Sequence, residues 1–125
     1  MLIDDNEIDN LINQKMLEGT NFSERIQVYT SGKSALEYLQ NLQRDKKLDT
    51  KLIPEIIFLD INMPLMDGFQ FLAEFEKLNN VITQHSKIVM LTTSINPSDK
   101  DESTKYKQVV IFVNKPLTQD YLDSL

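Results

Sequence analysis

The sequence contains no cysteine, which excludes disulfides, thiolate metal ligands and thiol catalysis and suits a reducing compartment, with the cytoplasm as the default. Glycine is nearly as scarce, present only as Gly19, Gly32 and Gly68. No Gly-rich phosphate loop can be written with these, so kinase, P-loop and dinucleotide-binding readings fall away. No apolar run approaches the roughly 20 residues a membrane span needs, and the opening MLIDDNEIDN is acidic where a signal peptide is basic and then apolar. Basic charge is also in deficit: 13 Lys and Arg stand against 19 Asp and Glu, a net charge of -6. Such a chain is not drawn to phosphate backbones or anionic lipid, so neither nucleic acid nor a membrane is expected as a direct partner.

What is present is an alternation of two periodicities over 125 residues, a length suited to one domain with one core. The runs IQVY (26–29), IIFL (56–59), IVML (88–91) and VVIFV (109–113) are rich in β-branched and aromatic residues, as strands buried on both faces are, and MLI (1–3) is a shorter fifth. Between them Ile8, Leu11, Ile12 and Met16 share one helical face, as do Ala35, Leu36, Leu39 and Leu42, and Phe71, Leu72, Phe75 and Leu78. SDKDESTKYK carries a capping-box pattern, Ser98 with Asp101, but almost no apolar stripe, so it predicts a weakly anchored fourth helix. LTQDYLDSL predicts a short last helix, and residues 41–54 a solvated loop. Alternating strands and helices imply a doubly wound α/β fold with a parallel sheet and right-handed crossovers. Five strands point to the flavodoxin-like order 2-1-3-4-5, in which ligands sit beyond the carboxyl ends of the strands.

Those ends carry a consistent set: Asp4 and Asp5 after the first strand, Asp60 after the third, Thr92 and Thr93 after the fourth and Lys115 after the fifth. Clustered carboxylates repel and raise one another's pKa unless a cation lies between them, and a hard ion such as Mg²⁺, or Mn²⁺, meets that need. With a metal and Lys115 flanking it, a phosphoryl group near Asp60 would be neutralised from two sides while a carboxylate oxygen attacks in line. Asp60 is then a nucleophile. Pro64 keeps the preceding chain extended, which could turn the Asn62 carbonyl toward the metal, and Gly68 lets the turn close before the next helix.

LIDDNE, LDINMPLMDGFQFL, VMLTTS and FVNKPL, in this order and spacing, closely resemble the receiver domain of two-component response regulators, and the resemblance covers residues 1–125. It implies that Asp60 is phosphorylated, that Asp5, Asp60 and the Asn62 carbonyl hold Mg²⁺ with Asp4 beside them, that Thr92 binds the phosphoryl group and that Lys115 pairs with it. It further implies a cis Lys115–Pro116 bond, an aromatic switch at Phe112, and tuning of the phosphoryl lifetime at Asn62 and Ser94. The implied partners are a histidine kinase or phosphotransfer protein and a downstream protein at the face of the fourth helix, fifth strand and fifth helix, with dimerisation open. Such a module catalyses its own phosphorylation and slow hydrolysis rather than turning over a substrate. Thr93 stands where the family has a small residue, which leaves Thr93 as an alternative to Thr92. The first strand and last helix are short for the family, so the chain looks trimmed at both ends.

Each residue alone has a plainer reading. Asp4–Asp5 is a helix N-cap, Asp67–Gly68 a turn, Lys115–Pro116 a solvated loop, Thr92 a strand terminator and Phe112 core. His85, the only histidine, reads as a solvated loop residue, and Met63, Met66 and Met90 as packing. Co-occurrence at four strand ends favours the receiver site. Two other functions compete with it: a receiver-like interaction domain that signals without phosphorylation, and a phosphatase of the haloacid dehalogenase type. The latter places its nucleophile after the first strand instead of the third.

Overall fold

The run IIFL sorts its side chains to opposite sides of a sheet, Ile57 and Leu59 entering one apolar cluster and Phe58 the other. IVML does the same, with Ile88 and Met90 on the first side and Val89 and Leu91 on the second. This period of two is what a strand buried on both faces requires. The computed structural model describes residues 1–93 and 95–125. Its strands are β1 (Leu2–Ile3), β2 (Val28–Tyr29), β3 (Ile56–Asp60), β4 (Lys87–Thr92) and β5 (Val109–Asn114). All pair in parallel in the order β2-β1-β3-β4-β5, the flavodoxin-like arrangement expected from the sequence. Helices α1 (Glu7–Gly19), α2 (Gly32–Arg44), α3 (Gly68–Phe75), α4 (Asn80–His85), α5 (Pro97–Ser103) and α6 (Gln119–Asp123) complete the chain.

The larger cluster, holding Leu36, Leu39, Phe71, Leu72 and Phe75, lies between the sheet and α2 and α3. The smaller one, with Leu17, Val113, Leu117 and Leu122, lies beneath α1 and α6. Burying a side chain such as Phe58, 2% exposed, contributes about 1.5–3 kcal/mol relative to leaving it in water. Both clusters pack against the central strands, so the carboxyl ends of β1, β3 and β4 stand on strands buried on both faces.

Several expectations are corrected. The second strand shrinks from 26–29 to Val28–Tyr29, and as a sheet edge it leaves Val28 37% exposed rather than buried on both faces. β5, the other edge, likewise leaves Val110 exposed. The third helix does not run through Leu78: α3 ends at Phe75, and the Asn79 side chain accepts from the Ile82 amide to cap α4. His85 therefore ends a helix, half-buried, instead of lying in a loop. The polar connection 41–54 is partly ordered, since α2 extends through Arg44, Thr50–Leu52 forms a 3₁₀ turn, and Ile53 is buried. The cap of α5 is Asn96, whose side chain accepts from the Ser98 amide, so Ser98 sits inside the first turn behind Pro97. As its sparse apolar content predicts, α5 buries only Ser103 among its described residues.

The largest correction concerns α1. Ile8, Leu11 and Ile12 do share a face, but it points to solvent, with exposures of 70%, 54% and 46%. The buried side consists of Asn10, Asn13 and Leu17. Polar residues can take that side because each has a backbone partner: Asn10 Nδ2 donates to the Asp4 carbonyl at 2.7 Å, and Asn13 Oδ1 accepts from the Leu117 amide at 3.0 Å.

Candidate functional site

The carboxyl ends of β1, β3, β4 and β5 are held together by the ladder itself. The Asp4 amide donates to the Tyr29 carbonyl, Ile61 to Leu91, and Lys115 to Thr92, the last at 2.8 Å. Strand pairing thus delivers Asp4, Asp60, Thr92 and Lys115 to one rim.

On that rim the Lys115 Nζ lies 2.6 Å from Asp4 Oδ2, 3.0 Å from Asp60 Oδ1 and 3.1 Å from Asp9 Oδ2. The Asp9 contact is also an aligned hydrogen bond. Asp4, Asp5 and Asp60 each offer a carboxylate oxygen within 4.8 Å of the others. More carboxylates meet here than one ammonium can neutralise. Burial pushes the Asp60 carboxyl up to about 6; Lys115 opposes that shift, and the charges of Asp4 and Asp5 reinforce it. Burial alone would lower Lys115, but Asp4 and Asp60 outweigh it and hold the ammonium above its ordinary range.

A hard divalent cation fits this donor set, which is all oxygen, acidic and open on one side, since Asp5 is exposed while Asp4 and Asp60 are buried. Asn62, two residues beyond Asp60, is exposed. The chain then doubles back: the Gly68 amide donates to the Ile61 carbonyl at 2.8 Å, and Asp67 and Gln70 form a capping box that starts α3. Asp67–Gly68 is thus a helix start more than a free turn. Between Ile61 and Gly68, Leu65 takes a left-handed φ of 67° and is wholly exposed. Asp4 and Asp5 do not cap α1; Asn6 does, its Oδ1 accepting from the Ile8 and Asp9 amides.

Thr92 ends β4 and is 2% exposed, while Thr93 follows it and is exposed. Phe112, in β5, is half-buried against the larger cluster. Lys115–Pro116 is cis. Ser94, the second residue expected to tune lifetime, lies outside the described residues. Met63 and Met90 are buried and Met66 packs against the same cluster.

A family model for the response regulator receiver domain matches residues 1–125. The chain belongs to that family. This receiver domain is 32% identical to a two-component response regulator from Cytophaga hutchinsonii, whose crystal structure it matches with a TM-score of 0.85, covering 98% of this chain and 89% of that one. It is 28% identical over 99 residues to response regulator Rcp1 of Synechocystis, 79% of this chain and 64% of that protein. A solved Mn²⁺-bound Rcp1 superposes with a TM-score of 0.72 at 26% identity over 98% of this chain and 84% of that one. Against the sensor histidine kinase CheAY of Helicobacter pylori, identity is 28% over all of this chain but only 14% of the kinase. The receiver domain thus spans less than two thirds of those two curated relatives. Among its described residues no helix is long and apolar enough to cross a membrane.

Two residues of the site escaped the sequence reading. Asp9 was hidden in the acidic first turn of α1, where an acid is favoured at any helix N-terminus. Asn13 was hidden by its helical position, three residues beyond a partner that is also polar; no pattern in the sequence marks it as the anchor of the segment after Lys115.

Proposed function

We propose that this receiver domain accepts a phosphoryl group on Asp60 from the phosphohistidine of a histidine kinase or phosphotransfer protein, in the cytoplasm, and thereby changes the surface it offers a downstream protein. An Asp60 carboxylate oxygen attacks phosphorus; the P–N bond breaks, and its electron pair stays on the donor imidazole. Asp5, Asp60 and the Asn62 carbonyl would hold Mg²⁺, or Mn²⁺, with Asp4 beside them, and the ion when bound supplies positive charge to the phosphoryl oxygens. Lys115 presents its ammonium to the same group. The Thr92 hydroxyl turns toward the phosphoryl group, and Phe112 follows it inward, which shifts the population of the α5, β5 and α6 face. Asn62, two positions beyond Asp60, and Ser94, two beyond Thr92 in the sequence, govern how readily water reaches the phosphoryl group.

The observation that carries this reading is the meeting of Asp60 Oδ1 with the Lys115 ammonium at 3.0 Å inside a three-carboxylate cluster. Burial, reinforced by the charges of Asp4 and Asp5, raises the Asp60 carboxyl, and a bound cation would favour its ionised form. Incubation with radiolabelled acetyl phosphate and Mg²⁺ tests it: the wild-type protein takes up label, and Asp60→Asn takes up none. Equal labelling of the two proteins rejects Asp60 as the acceptor.

A further inference from the structure

An ammonium has three N–H groups, and Lys115 meets three carboxylates, from Asp4, Asp60 and Asp9. Its shell is full. A phosphoryl oxygen that is to pair with Lys115 must therefore replace one of the three. Two are poor candidates: the Asp4 side chain is 2% exposed, so a carboxylate released there would be left buried, and Asp60, once it carries the phosphoryl group, keeps its carbonyl oxygen beside the ammonium. The Asp9 side chain is 29% exposed and can pass to water.

We propose that Asp9 is a positioning residue: a releasable tether that holds Lys115 toward α1 until a phosphoryl group displaces it. The proposal rests on Asp60 being the acceptor. Asp9 is well placed to act as a tether because its helix cannot drift. Asn6 caps that helix through the Ile8 and Asp9 amides, Asn10 ties it to the Asp4 carbonyl, and Asn13 ties it to the Leu117 amide just beyond Lys115. Asp9 also adds a like charge beside an incoming dianion. Both effects oppose occupancy of the phosphoryl position, and both leave with the carboxylate.

Beryllofluoride, a phosphoryl mimic, measures this directly. With Mg²⁺ saturating, Asp9→Asn and Asp9→Ala bind it three- to tenfold more tightly than wild type, on the order expected for one charged hydrogen bond partly offset by rehydration. Mg²⁺ titrated alone binds neither variant more tightly than wild type, since a negative charge near the acidic cluster has been removed. A merely structural role for Asp9 would weaken both ligands together. Unchanged or weaker beryllofluoride binding by both variants overturns the tether while leaving Asp60 in place. Absence of beryllofluoride binding by wild type counts against the Asp60 reading itself and takes the tether with it.

Discussion

Gly68 packs so closely on the acceptor strand that an added Cβ would stand 2.8 Å from the Asp60 carbonyl oxygen and 2.9 Å from the Ile61 Cα. Both neighbours are backbone and cannot swing aside. The glycine is required by close approach, not by a left-handed φ, since no glycine here has one. It lets the start of α3 lie against the end of β3 and so fixes where Asp60 stands.

Gly68→Ala should therefore act on chemistry as well as stability. Forcing a methyl into packed backbone costs about 1–3 kcal/mol, and displacing the nucleophile by about 1 Å can cost on the order of a hundredfold in rate. Urea denaturation and the initial rate of labelling by acetyl phosphate check the two effects separately. An alanine variant that folds and labels like wild type would show that the loop yields without moving Asp60.

The Asp60 carboxyl, pushed up to about 6 by burial, makes a signed prediction about pH. Between about pH 4 and 6 the folded protein holds a proton there that the unfolded chain has lost, so this group's contribution to stability declines as pH rises through that window. The full difference is on the order of 3 kcal/mol at 1.36 kcal/mol per unit. Lys115 titrates far above this window and adds a constant. Asp60→Asn, which cannot ionise, should be more stable than wild type at pH 7 in the absence of metal and should lose the dependence. Proton competition also means that apparent Mg²⁺ affinity falls up to tenfold per unit below about pH 6. Denaturation curves at pH 4.5 and pH 7, and calorimetric Mg²⁺ titrations across the same range, carry the test. Stability of the wild type that climbs relative to Asp60→Asn between these points contradicts it.

The sheet and the acceptor rim were legible in the sequence for one physical reason. β3 and β4 are buried on both faces, so they must read as continuous apolar runs, and a carboxylate or hydroxyl ending such a run, Asp60 or Thr92, stands out against them. Edge elements carry no such constraint. Val28 and Val110 are partly exposed, and the extent of β2 could not be read from Ile26–Tyr29. Breaks in helices are set by single caps that compete with a running periodicity, which is why Asn79 interrupts the pattern between Phe75 and Ile82 unannounced. Asp9 stayed invisible because its partner lies at Lys115, more than a hundred positions away (|i−j| = 106), and nothing local distinguishes it from an acid that favours a helix N-terminus.

Helix α1 offers the sharpest contrast between pattern and packing, and it can be tested by a pair of substitutions of opposite character. Leu11 sits on the apolar face but is 54% exposed, so Leu11→Ser should change stability by no more than about 0.5 kcal/mol. Were that face the core, the same deletion would cost about 2–5 kcal/mol. Asn13 is 1% exposed and its Oδ1 is the partner of the buried Leu117 amide. Asn13→Leu, although it adds apolar surface, strands that N–H and should cost about 1–3 kcal/mol. Because Leu117 follows the Lys115–Pro116 pair, the loss should also loosen the ammonium, visible as slower labelling of Asp60 at saturating Mg²⁺. Equilibrium denaturation orders the two variants. Should Leu11→Ser prove the more costly, α1 is rotated from the orientation described here, and the Asn10 and Asn13 hydrogen bonds that hold Asp9 in place go with it.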